Sequence, residues 1–268
     1  MDERAQAMNQ QATSHADLSI ADQVAEICIS NGPMNLVTRQ LLVDLSGALV
    51  EVAKHREVRC LIVHGGSAKA FCAGSDIKEL ADLRGNASER KILYEDMVVR
   101  QLARIAMPTI AALDGHALGG GLELALACDL RVCRQGVKLG LTESRIGGLA
   151  ANGALRVTRL LGTAKAKELL FTGDILTAEE ALALGIVNQL AKEGSALDAA
   201  RRLAAKIAER GPVSNRLAKE LVDLAFDLPL DAALVRSTVA QQEIFDSHDL
   251  HEGVAAFLSK RDPKFTGV

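Results

Sequence analysis

Hydrophobic positions along this chain recur in two rhythms, and the change from one to the other falls near residue 139. Before it, short apolar runs bounded by glycine or proline alternate with segments of helical spacing. Residues 24–30 alternate loosely and read as a strand, Gly32-Pro33 turns the chain, and residues 37–54 repeat as a helix does. Residues 58–64, closed by Gly65-Gly66, are a second strand; residues 109–113 and 130–133 are a third and a fourth. Strands alternating with helices predict crossover units and a largely parallel or mixed sheet. After residue 139, the segments 155–161, 164–171, 178–184, 197–210 and 213–225 all carry helical spacing, and residues 186–190 are the one late strand expected. Thr177 with Glu180 forms a capping box, and Gly185 closes the helix it opens.

One segment breaks the amphipathic rule. Leu122, Leu124, Ala125, Leu126, Ala127 and Cys128 leave no polar stripe, so as a helix they are covered on most sides, yet Glu123 sits among them. Burying a carboxylate without a partner costs several kcal/mol or raises its pKa until it holds a proton. The preceding Gly119, Gly120 and Gly121 let a backbone N–H approach a ligand closely at a helix start. A second small-residue turn, Ala70 to Lys78, also follows a strand, and N–H groups converging from the two turns would form an oxyanion hole. Neither turn has the Lys-Ser/Thr ending of a phosphate-binding P-loop or the spacing of a dinucleotide fingerprint. Glu143, twenty residues beyond Glu123, is a second acid able to share general acid and base work across a pocket.

Composition narrows the remaining classes. The 268 residues carry 31 Lys and Arg against 34 Asp and Glu, so no basic excess exists to neutralise nucleic-acid phosphates. Aromatic residues are scarce at 3%, which argues against a base-stacking surface. Cys28, Cys60, Cys72, Cys128 and Cys133 are odd in number and lack paired spacing, so reduced buried thiols are expected, and no metal site is. Cys72 reads as a small buried filler and His116 as a polar strand end. Glu89, Arg90, Lys91, Glu95, Asp96, Arg100 and Arg104 read as a solvated helix face. Residues 1–20 are polar and lack the pattern of a signal peptide; they are expected to be a disordered tail, before a core at 21–200 and a helical region at 201–268. The apolar stretches are too short to span a bilayer, and the expected location is the cytoplasm.

Four segments together resemble the enoyl-CoA hydratase/isomerase, or crotonase, family. They are Ala70-Phe71-Cys72-Ala73-Gly74-Ser75-Asp76-Ile77, the run Pro108 to Leu124 containing Gly119-Gly120-Gly121, Cys128-Asp129-Leu130-Arg131, and Leu169 to Gly173. The resemblance implies an α/β fold, a spiral of ββα units, with a helical C-terminal region that makes a homotrimer or a hexamer of two trimers. It implies acyl-CoA thioesters as substrates, with coenzyme A part of the substrate and no other cofactor. By position, the N–H groups of Ser75 and Gly120 match the oxyanion hole, Glu123 matches the acid that handles water, and Glu143 matches the acid that handles the α-carbon proton. The backbone of Ala73, Ser75 and Ile77 matches the adenine-binding turn, and Phe257 and Lys260 match a segment that reaches CoA, often in a neighbouring subunit. Two glutamates favour hydration of a trans-2-enoyl-CoA over double-bond isomerisation, which commonly keeps the second acid alone. Some relatives bind RNA through a lysine-rich helix, which this chain lacks. The family's usual Pro-Gly-x-Gly-Gly loop is replaced by Ala150-Ala151-Asn152-Gly153-Ala154, a Pro gives way to Thr142, and the basic residue expected before Pro33 is missing. The altered loop leaves open a non-catalytic acyl-CoA-binding role.

Overall fold

A computed structural model describes residues 14–268, so residues 1–13 of the expected tail lie outside the described residues. The rest of that tail is ordered, contrary to expectation. Strand β1 (Ala16–Ala21) pairs antiparallel with β2 (Val24–Ile29) along its whole length. Its alternation is physical: Leu18 and Ile20 are half-buried while Asp17 and Ser19 face solvent. The hairpin turn uses Asp22 and Gln23, both at positive φ (49° and 64°), the twist that suits a two-residue connection. The customary Asn-Gly signature is absent, which is why polarity alone misread the segment.

The chain then builds two sheets in step. Helix α1 (Arg39–Val52) leads to β3 (Cys60–His64) and the short β4 (Ala70–Cys72); α2 (Ile77–Ala81), a π-turn at Ser88–Ile92 and α3 (Leu93–Ala103) follow. A second round gives β5 (Thr109–Leu113), β6 (His116–Leu118) and α4 (Gly120–Ala127). A third gives β7 (Leu130–Arg134), β8 (Lys138–Gly140), a 3₁₀ turn at Glu143–Ile146 and α5 (Ala151–Thr172). The larger sheet runs β1-β2-β3-β5-β7-β10 and the smaller β4-β6-β8-β9, where β9 is Leu176–Thr177 and β10 is Gln189–Ala191. Each round therefore adds one parallel strand to each sheet, the ββα spiral that the resemblance implied. The three-residue strands are too short to leave a periodic trace, and the late strand lies at 189–191, displaced from the expected 186–190.

The central parallel strands β3 and β5 of the larger sheet are buried on both faces. Leu61, Val63, Ala111 and Leu113 pack toward α1, α3 and α4, while Cys60, Ile62, Ile110 and Ala112 meet the alanines of α7 (Ala196–Ala208). Helix α6 (Ala178–Ala183) opens on the predicted capping box of Thr177 and Glu180. Gly162, at φ 75° and ψ 171°, breaks α5 between the two helical segments read from spacing. Helices α8 (Pro212–Leu224), α9 (Leu230–Asp246) and α10 (His248–Leu258) complete the chain around a small core of Val213, Leu217 and Ala240. Among the described residues no helix is long and apolar enough to cross a membrane.

Candidate active site

The three glycines at the start of α4 do three different things. Gly119 has φ 52° and ψ −130°, a backbone that bends the end of β6 into the helix. Gly121 packs so tightly that a Cβ there would lie 1.9 Å from the carbonyl oxygen of Cys72. Gly120 meets no such wall; a Cβ on it would lie 3.8 Å from the Ser75 nitrogen, 3.7 Å from Ser75 Oγ and 3.5 Å from Glu95 Oε1. As the first residue of α4 its N–H is one of those a helix start leaves without an intrahelical partner.

The facing turn is held by its neighbours. Ala73 N donates to Met34 O, Val37 N to Gly74 O, and Asp76 N to Val37 O. These bonds leave the Ser75 N–H free of any partner among the described residues. Behind the turn, fully buried Asn35 donates from Nδ2 to the carbonyls of Gly65, Ala70 and Phe71, fixing β4 in place. Two unpaired N–H groups from different turns thus meet beside one another, at the positive end of α4.

Glu123 is 8% exposed in the first turn of α4. Its Oε1 accepts a 2.7 Å hydrogen bond from Gly153 N, in the first turn of α5. Burial pushes its pKa up to about 7; the Gly153 N–H opposes that, while Glu143 and Glu95 add to it. The loop departing from the family pattern therefore keeps the main-chain donor that grips the first acid. At the other end of α4, the buried Arg131 guanidinium donates to the carbonyls of Ala125, Cys128, Asp129 and Ile186. A cation there satisfies the helix's terminal carbonyls and holds the helix that aims Glu123.

Glu143 opens the 3₁₀ turn. Its Oε1 would lie 3.0 Å from a Cβ on Gly119, and its Oε2 is buried without a hydrogen-bond partner among the described residues. Burial, and then the charge of Glu95, raise its pKa above the ordinary carboxylate value. An apolar cavity of about 390 Å³, lined by Leu141, Leu149, Leu170 and Phe171, opens beside it. An acyl chain matches such a lining, and an unpartnered carboxylate oxygen matches a group that must receive or deliver a proton.

A family model described as enoyl-CoA hydratase/isomerase matches residues 19–268. The chain belongs to this family. It is 38% identical to a probable enoyl-CoA hydratase of Bacillus subtilis over 256 residues, covering 93% of this chain and 98% of that one. It is 35% identical to the mitochondrial methylglutaconyl-CoA hydratase of Rattus norvegicus, covering 87% and 76%. The crystal structure of an enoyl-CoA hydratase from Bacillus anthracis superposes with a TM-score of 0.90 at 32% identity, covering 95% of this chain and all of that one.

In this family member Ala73 and Ser75 are half-buried beside Gly120, whereas Ile77, at the start of α2, is 64% exposed on the outside of the same turn. Phe257 and Lys260 are not brought to that turn within the chain. Phe257, 83% exposed, lines a separate cavity of about 530 Å³ between α8, α10 and the C-terminal tail. His116 Nδ1 accepts from Lys138 N, the structural use expected of it, and Cys72 is fully buried with its thiol pushed up to about 12.

A further expectation fails. Lys91 and Glu95, read as part of a solvated face, are 11% and 16% exposed at their side chains and pair at 3.1 Å over the start of α4. The misleading feature was their charge; the useful one was spacing. Glu95 shares its helix face with buried Val98, Val99 and Leu102, at i, i+3, i+4 and i+7. A charged residue on the core side of an amphipathic helix is a signal of a polar site.

Proposed function

We propose that the protein is an enoyl-CoA hydratase, adding water reversibly across the double bond of a trans-2-enoyl-CoA. The observation that carries this reading is the pair of raised-pKa glutamates beside two convergent main-chain N–H groups. The thioester oxygen would accept from the N–H groups of Ser75 and Gly120. Glu123, held by Gly153, would take a proton from water as its oxygen bonds to the β-carbon. The electron pair of the double bond moves toward the carbonyl, where the two donors stabilise the enolate oxygen. Glu143 would deliver a proton to the α-carbon, completing the hydroxyacyl thioester; the reverse sequence dehydrates it. A carboxyl group with a pKa near neutrality can serve as acid in one direction and base in the other. Neither step calls for a metal or a redox cofactor.

The same geometry supports a related reading, movement of a double bond by Glu143 alone, because its Oε2 is the buried and unpartnered one. CoA would lie along the backbone of Ala73, Ser75 and Ile77. Exposed Phe226, Leu230, Leu234, Val235 and Val239 favour assembly of three or six copies, in which Phe257 and Lys260 would reach a neighbour's CoA. The decisive measurement is the absorbance of the conjugated thioester on adding purified protein to crotonyl-CoA and longer enoyl-CoAs. Its decay, with 3-hydroxyacyl-CoA formed, is expected. Unchanged absorbance over a range of chain lengths overturns hydration, and titration showing CoA-ester binding without turnover would replace it with a binding role.

A further inference from the structure

Lys91 and Glu95 are not used by the chemistry above, although Glu95 stands beside Gly120. The π-turn at Ser88–Ile92 runs directly into α3 and sets Lys91 one turn before Glu95. Such turns re-aim side chains and recur at functional sites. Glu95 Oε2 meets Lys91 Nζ at 3.1 Å, while Glu95 Oε1 accepts no hydrogen bond among the described residues and points toward Gly120, whose N–H would hold the thioester oxygen. A free acceptor therefore sits next to an ammonium group with donors to spare, beside Gly120 and apart from the apolar lining of the cavity at Glu143.

We infer that the Lys91–Glu95 pair is a specificity subsite that selects enoyl-CoA esters carrying a hydroxyl group close to the double bond. This rests on the acyl-CoA reading of the site and names the class of acyl group. A hydroxyl donates to Glu95 Oε1 and accepts from Lys91 Nζ, satisfying both sides of the pair at once. An alkyl group of the same size would strip water from Oε1 and return nothing, and a site built to bond a hydroxyl rejects the analogue lacking it. A carboxylate-bearing group fits less well, since Glu95 already balances the Lys91 charge and the carboxylates of Glu123 and Glu143 stand close enough to Glu95 to feel its charge.

The test compares three esters: 4-hydroxybut-2-enoyl-CoA, its near-isostere pent-2-enoyl-CoA, and pent-2-enedioyl-CoA, which carries a terminal carboxylate. Wild-type kcat/KM should favour the hydroxy ester over pent-2-enoyl-CoA by about 10-fold or more. The double replacement Lys91→Met with Glu95→Leu should abolish or invert that ratio, and Glu95→Gln, which keeps the shape, should reduce it. No preference in the wild type, a preference that survives the double replacement, or a preference for the carboxylate ester would each overturn the inference. If none of the three is hydrated, hydration is what has failed. Titration with 4-hydroxybutyryl-CoA and pentanoyl-CoA then decides the subsite on its own: tighter binding of the hydroxy ester, lost in the double variant, supports it, and equal binding overturns it.

Discussion

The start of α4 and the 3₁₀ turn at Glu143 each bring one glutamate to the site, and they hold it in opposite ways. Helix α4 is anchored at both ends: Gly119 N donates to Gly140 O before it, and Arg131 collects its terminal carbonyls behind it. Its glutamate is gripped as well, by Gly153 N. The turn is four residues long, closed by Gly147 in the left-handed region, and its carboxylate has one buried oxygen with no partner. On the proposed hydration, one acid is fixed where a water would be oriented, and the other is left free where a proton would travel. Two residues of one chemical type are thus given different tasks by what surrounds them.

The largest expected effect separates those tasks. Glu143→Gln should lower kcat for hydration by about 10³-fold or more, and should equally abolish exchange of the α-proton with solvent deuterium. Glu123→Gln should lower hydration by a similar factor while leaving much of the α-proton exchange, because the freer acid and both oxyanion donors remain. Mass spectrometry of recovered acyl-CoA reads the exchange. Equal loss of exchange in both variants would erase the distinction between the two regions.

Next comes the anchoring itself. Arg131→Met keeps the bulk of the side chain but leaves buried carbonyls at the end of α4 without donors, at a cost of about 3 kcal/mol given ~1–3 kcal/mol for each such group. Thermal denaturation should fall by about 6–12 °C. A variant melting within about 2 °C of wild type would mean that α4 needs no terminal anchor.

How much of this was legible follows from the length of each feature. The buried acid, the glycine run before it and the capping box at Thr177 each declare themselves within a few residues, so local chemistry reveals them. Even there, the division of labour among Gly119, Gly120 and Gly121 depends on Cys72 and Glu143, which the chain brings from elsewhere. The strands β6, β8 and β9 exist because neighbours complete them, and two or three residues carry no period of their own. The role of Asn35 has no local signal, because its three acceptors lie 30 to 36 residues away. Lys91 and Glu95 are the instructive error, since their position on the apolar face of α3 outweighed their charge. The replacement of a Pro-Gly-x-Gly-Gly loop by Ala150 to Ala154 looked disruptive in letters alone, yet Gly153 still supplies the N–H that matters.

The smallest effects concern stability against pH, and they test the same contrast. Glu123 has a folded pKa of about 7 against an ordinary 4.5, so the folded state holds a proton more tightly than the unfolded chain. The sign follows: stability is lost as pH rises from about 4.5 to about 7, and above that range the ionised carboxylate imposes a constant penalty with a ceiling of about 3 kcal/mol. Glu123→Gln removes the charge and keeps an oxygen for Gly153 N. It should therefore raise the melting temperature at pH 8, by an amount that shrinks to nothing near pH 4.5. Glu143 is shifted in the same direction but is less buried, so Glu143→Gln should show the same trend with a smaller rise at pH 8. A larger rise for Glu143→Gln than for Glu123→Gln would reverse the assignment of which acid is fixed by its surroundings and which is left free to move a proton.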